Sequence, residues 1–340
     1  MALDRTNDSI TCVPSLRVGQ AQNDHDLTGC TVLLSPQGAV AAMVVLGSAP
    51  GTRQTDSLRP GHLVSRVHGL CLTGGSGFGL RACDGVTKVL VEQGVGLTIG
   101  EVTVPIVPGA VIFDLRVGAP VWPDAEMGEI ATRQALGERG RQPVTQGCVG
   151  AGTGATVGKL FGPGQSCKSG LGTAGAVRDD GLAVGALAVV NAFGDVRDPQ
   201  SNRLLAGLRR TPESNELADT SDLLRRGDAP NLVLGAKPEA TTLAVVATNA
   251  HLDSVHAAKI ASMAAGALHA CLSPAATHVD GDIVFCLGIG NVEVDMHQVA
   301  VLARDRLEEA IVSAVLQAQS AGGLPAARDL TPTSPLSASH

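Results

Sequence analysis

A threonine marks the place where a polar segment meets a buried one. Residues 196–239 are charged and lack a clean hydrophobic period. They end at Ala240-Thr241-Thr242, and the strand-like run LAVVAT begins at once. A hydroxyl at such a join has one unusual reaction open to it. Its oxygen can attack the preceding carbonyl and form an ester, which water then cleaves to leave Thr241 at a new N-terminus. The released α-amino group, with an unperturbed pKa of about 8, can then take the proton from the same residue's hydroxyl. Without that chemistry, Thr241 and Thr242 are two β-branched residues opening a strand.

Other residues could serve the same reaction. His278-Val279-Asp280-Gly281-Asp282 precedes the apolar run IVFCL. Two carboxylates two positions apart, with glycine between them, can enter one site from a turn and orient an ammonium or a hydroxyl. One carboxylate also raises the pKa of the other. The plain alternative is a solvated turn, and the spacing does not continue as an EF-hand calcium loop. The glycine-rich run GCVGAGTGATVGK ends in Lys159, but Leu160 stands where a phosphate loop needs Ser or Thr, so nucleotide binding is rejected. Lys159 then reads either as a fixed positive charge beside a site or as a surface lysine. Asn191 follows GALAVV, where a strand ends. Its amide can donate to an oxyanion, or it is a turn asparagine. The nine histidines form no HExxH or other ligand spacing, so no metal is expected, and the chemistry needs no organic cofactor.

The elements that must position these residues follow from hydrophobic period. Apolar, β-branched runs at 30–34, 40–46, 111–115, 182–190 and 242–248 read as buried strands. Helical patterns cover 80–92, 124–137, 255–271 (after Asp253 or Ser254 as cap) and 299–317 (after Asp295). This mixture predicts layered sheets covered by helices. The segment 196–239 is long for a loop and is expected to be functional or mobile. From 322 to 340 the chain is rich in Ser, Pro, Thr and Ala and reads as a disordered tail.

Composition limits the partners. With 44% hydrophobic and 17% charged residues in 340, the chain can bury a large core. Five Phe, one Trp, no Tyr and a net charge of −7 argue against nucleic acid, which needs stacking rings or basic surface. The longest apolar runs are too short to span a bilayer, and the polar start lacks a signal-peptide h-region, so a soluble cytoplasmic protein is expected. The eight cysteines form no CxxC pair and read mostly as buried small hydrophobes.

Ordered blocks along nearly the whole chain carry a resemblance. They are PSLRVGQAQ, LTGCTVLLSPQGAVAA, APGTRQTDSLRP, LTGGSGFGLRACDGV, VPIVPGAVIFDL, GAGTGATVGK, LAVVNAFGDV, ATTLAVVATNA and HVDGDIVF. From about residue 9 to 318 the sequence resembles the L-aminopeptidase/D-esterase family of self-processing N-terminal nucleophile hydrolases, which includes β-peptidyl aminopeptidases and nylon-oligomer hydrolases. The resemblance implies an α+β fold, an αββα sandwich also similar to the ornithine acetyltransferases. It implies one catalytic domain, 1–321, cut into an α chain (1–240) and a β chain (241–340). It places the nucleophile on Thr241, the paired acidic positions on Asp280 and Asp282, and the lysine and asparagine of the nylon-oligomer hydrolases on Lys159 and Asn191. A site-lining tyrosine of some members falls on Phe113, which lacks the hydroxyl. The implied activity is hydrolysis of short peptides or peptide-like amides. Hydrolysis of 6-aminohexanoate oligomers and acyl transfer to an amine are the alternatives. A tetramer of αβ units is implied. Where relatives often carry Asn or Gly, Ala240 precedes the nucleophile. It lacks glycine's access to positive φ, so slower self-cleavage is expected.

Overall fold

The computed structural model describes residues 3–4, 7–64, 66–229 and 240–331. In chain order the strands that build the site are β1 (Arg17–Asn23), β2 (Thr28–Val45), β3 (Arg66–Thr73), β4 (Gly109–Val111), β5 (Leu171–Arg178), β6 (Ala183–Asn191), β7 (Thr241–Ala250) and β8 (Ile283–Val292). The helices are α1 (Ala82–Glu92), α2 (Ala125–Leu136), α3 (Thr220–Arg226), α4 (Ser254–Ala264), α5 (Gly266–Cys271) and α6 (Met296–Leu316). Asp124, Asp253 and Asp295 cap α2, α4 and α6, each accepting a hydrogen bond from a backbone N–H in the first turn.

The strands run in the order β5-β6-β7-β8-β2-β3-β4, with β1 beside the first half of β2. β7 and β8 are parallel, and α4 and α5 make the crossover between them. β2 belongs to both halves of this sheet. Its residues 28–34 pair with β1, and its residues 40–45 pair with β8.

Side-chain parity shows how the halves are stacked. In β7, Leu243, Val245 and Ala247 join a central core that also holds Leu33, Leu70, Leu72, Leu187, Val189 and Phe285. The alternate residues, Ala244 and Val246, join a second core with Ile260, Leu307 and Ile311 of α4 and α6. On the other half, Cys30, Val32 and Leu34 pack outward on Val86 and Leu90 of α1 and Ala131 of α2. The result is helix, sheet, sheet, helix: an αββα sandwich with both faces of each sheet buried. Small residues allow the close layers. A Cβ on Gly172 of β5 would stand 2.0 Å from the Ala310 carbonyl of α6.

Several expectations need correction. The runs 30–34 and 40–46 are one strand, because Ser35 to Gly38 form a bulge and not a break; the register shifts between Leu34 and Ala39. The run 111–115 is strand only up to Val111; beyond it the Asp114 side chain takes over the bonding. The helix expected over 255–271 breaks at Ala265, beside Gly266. The polar segment carries the short strands Asp195–Arg197 and Leu204–Ala206 and helix α3, while its residues 230–239 lie outside the described residues. Residues 322–331 are not a loose tail. Leu324 and Ala326 are buried, and the Pro325 carbonyl accepts from the Lys168 backbone N–H, so apolar anchors outweigh the polar composition there. Residues 332–340 lie outside the described residues. Among the described residues no helix is long and apolar enough to cross a membrane.

Candidate active site

The end of β6 and the start of β7 bring two of the expected residues together. Asn191 and Thr241 are register partners in this antiparallel pair. Both share parity with the inward-facing Val189 and Leu243, so both side chains enter the space between the sheets. Thr241 is only 5% exposed.

The bond before Thr241 is held tightly. Ala240 makes a parallel bridge with Asp280, and its carbonyl accepts from the Gly281 backbone N–H at 2.8 Å. The Thr241 hydroxyl donates to the same carbonyl oxygen at 2.6 Å. Ala240 is buried. Gly281 is required by space: a Cβ there would lie 2.7 Å from Thr241 Oγ1 and 2.6 Å from the Ala49 carbonyl. Gly281→Ala is therefore expected to push the hydroxyl or the 240–241 peptide out of place. Any cleavage at this bond, followed by intact mass over time, should slow by about 100-fold, the effect of misplacing reacting atoms by about 1 Å.

The two aspartates act as braces. Asp280 Oδ1 accepts from Phe193 N–H (3.2 Å), and Oδ2 accepts from the Thr277 N–H (2.9 Å) and hydroxyl (2.5 Å). Asp282 accepts from Thr242 N–H (2.6 Å) and Ala276 N–H (3.0 Å). Backbone N–H groups of Leu46, Gly47 and Ala49 fix the carbonyls of 280 and 282 from the other side. Burial, followed by the neighbouring Asp280 charge, pushes the Asp282 carboxyl well above the usual range.

Lys159 completes the cluster. It is buried, and its Nζ donates to the Asn191 carbonyl (2.9 Å) and Oδ1 (2.6 Å). Burial lowers its pKa to about 7, against the opposing pull of Asp280 and Asp114. Asn191 Oδ1 also accepts from Thr156 N–H, and its Nδ2 donates to the Phe113 carbonyl at 3.0 Å. One amide hydrogen of Asn191 is thus already engaged. The glycine-rich run before Lys159 has its own support. The buried Lys168 ammonium donates to the Thr153, Ala155 and Ser169 carbonyls. Within the run, Gly150, Ala151, Gly152, Thr153 and Ala155 spend their N–H groups inside the fold.

The structure therefore gathers Ala240, Thr241, Asn191, Lys159, Asp280 and Asp282, with Phe113 one hydrogen bond away. Three contributors were not anticipated. The Gly281 N–H faces the 240 carbonyl only because residues 240 and 280 pair across forty positions. Thr277 had a local signal, a hydroxyl three residues before Asp280. Asp114 sat inside the run 111–115, which read as a strand.

The chain matches Peptidase family S58 over residues 8–328. The chain belongs to that family. This is the L-aminopeptidase/D-esterase group to which the sequence blocks pointed. As an S58 member the protein is a hydrolase of peptide-type amide bonds, of the aminopeptidase and amidase kind. It is 38% identical to an uncharacterized aminopeptidase of Mycobacterium tuberculosis, covering 95% of this chain and 98% of that one. It is 29% identical to the 6-aminohexanoate-oligomer endohydrolase of Paenarthrobacter ureafaciens, covering 86% of this chain and 78% of that one. Two solved structures share the fold. One is the L-aminopeptidase D-Ala-esterase/amidase of Ochrobactrum anthropi, a variant of the Ntn hydrolase fold (TM-score 0.67, 18% identity, 94% and 88% covered). The other is a Burkholderia sp. β-aminopeptidase (TM-score 0.65, 21% identity, 93% and 89% covered).

Proposed function

We propose that this S58 hydrolase cuts itself between Ala240 and Thr241 and then uses the freed Thr241 as its nucleophile. One observation carries the reading: the Thr241 hydroxyl lies 2.6 Å from the Ala240 carbonyl oxygen, which the Gly281 N–H also binds. In the first step Thr241 Oγ attacks the Ala240 carbonyl carbon while the Gly281 N–H bears the developing oxyanion; one such donor contributes about 3–4 kcal/mol. No α-amino base exists yet, so the hydroxyl proton passes to Lys159, which its low pKa leaves partly neutral. Lys159 returns that proton to the amide nitrogen as the C–N bond breaks, so that the nitrogen leaves as the Thr241 amine, and water hydrolyses the ester. In turnover the Thr241 amine takes the proton from Thr241 Oγ as it attacks the substrate carbonyl and returns it to the leaving amine, and water then hydrolyses the acyl-enzyme ester to the free acid and restores the hydroxyl. Asp282, through the Thr242 N–H, keeps the new terminus in register.

The substrates are short peptides or peptide-like amides with a free amino end. Linear ω-amino-acid oligomers are the second reading, favoured by the resemblance to the 6-aminohexanoate-oligomer endohydrolase. The test is denaturing electrophoresis with product analysis. Fragments of about 24 and 10 kDa, scaled by length from 34.4 kDa, are expected, with free acid as the product. An active protein running as one 34.4 kDa band, or acyl transfer to an added amine in place of hydrolysis, would overturn the reading.

A further inference from the structure

One charged side chain beside this site has no task in the chemistry above. Arg116 is exposed on the wall of a small cavity of about 30 Å³ that is also lined by Phe113, Asp114, Thr156 and Lys159. Its guanidinium lies over the Phe113 ring, 6.0 Å from the centroid. Among the described residues no carboxylate forms an ion pair with it. The nearest acid in sequence, Asp114, is already engaged: Oδ1 accepts from Gly75 N–H (2.7 Å) and Oδ2 from the Thr28 hydroxyl (2.9 Å). Burial also pushes its pKa up, which weakens its negative charge.

The cavity sits next to the reacting groups. The Phe113 carbonyl binds Asn191 Nδ2, Lys159 binds Asn191 Oδ1, and Asn191 is the cross-strand partner of Thr241. A planar cation resting on an aromatic face has lost much of its freedom before a ligand arrives, and its fork matches a carboxylate. A space this small admits a terminal group and not a large side chain.

We propose that Arg116 anchors the free carboxylate of short substrates, so that the enzyme favours amides whose leaving portion ends in a carboxylate over the same amides capped as neutral carboxamides. This rests on the amidase reading above, in which the acyl portion carries the free amine. Arg116 is thus a specificity-determining residue outside the proton transfers.

The test compares a dipeptide free acid with its C-terminal carboxamide, in the processed wild type, Arg116→Gln and Arg116→Lys. The wild type is expected to prefer the acid about tenfold in kcat/KM, as one charge-assisted contact allows. In Arg116→Gln the ratio of acid to carboxamide should fall to near one, mainly through a higher KM for the acid. Arg116→Lys should keep part of the preference, and added salt should reduce it in the wild type. An equal ratio in wild type and Arg116→Gln, or a wild-type preference for the carboxamide, overturns the proposal while leaving the amidase reading intact. Hydrolysis of neither compound by processed wild type overturns both.

Discussion

Thr241→Ala is expected to be a folded, uncut and inactive chain. Intact mass should show one species of 34.4 kDa where the wild type gives two fragments. Hydrolysis should fall by about four to six orders of magnitude, the cost of removing a covalent nucleophile. The fold should survive, because the side chain is small and its hydrogen bond goes to the carbonyl of its own neighbour. Thr241→Ser keeps the oxygen and should still be cut. The pair of variants separates the hydroxyl from mere bulk at this position. Cleavage or near-normal turnover in Thr241→Ala would remove the nucleophile from the mechanism.

The second large effect concerns Lys159 and pH. Burial holds its pKa at about 7, so the neutral, proton-accepting form grows as pH rises through that value. Self-cleavage of wild-type precursor, collected at pH 5.5 and shifted, should speed up about tenfold per pH unit below 7 and level off above it. Lys159→Met should slow cleavage by about 100- to 10,000-fold and abolish the inflection. Lys159→Arg should do the same, since a guanidinium keeps its proton throughout this range. A pH profile unchanged in Lys159→Met would assign the proton to another group.

Much of this was legible in the chain because buried strands announce themselves. β6 is buried along its whole length, and the expected 182–190 differs from Ala183–Asn191 by one residue at each end. The start of β7 was equally clear, since LAVVAT follows charged sequence directly. The parity that turns Thr241 and Asn191 inward follows from those boundaries. What stayed hidden depends on pairings far apart in sequence. The Gly281 N–H acquires meaning only when 280 lies beside 240. Lys168 looks like any lysine until the glycine-rich run wraps its carbonyls around it. Arg116, just past the run 111–115, was not singled out, because Asp114, which ends strand β4 through Gly75 and Thr28, resembles an ordinary polar residue in an apolar run.

β7 lies in the interior of its sheet, between antiparallel β6 and parallel β8, and β8 is clasped by β2 on its far side. A break just ahead of β7 therefore frees nothing to diffuse away. Both pieces would stay interleaved, elute together from a sizing column and part only in denaturant. The severed terminus, pinned by its flanking ladders, would gain a positive end group while losing almost no order. A molecule so arranged can be nicked as its final step of maturation and keep the shape it had before.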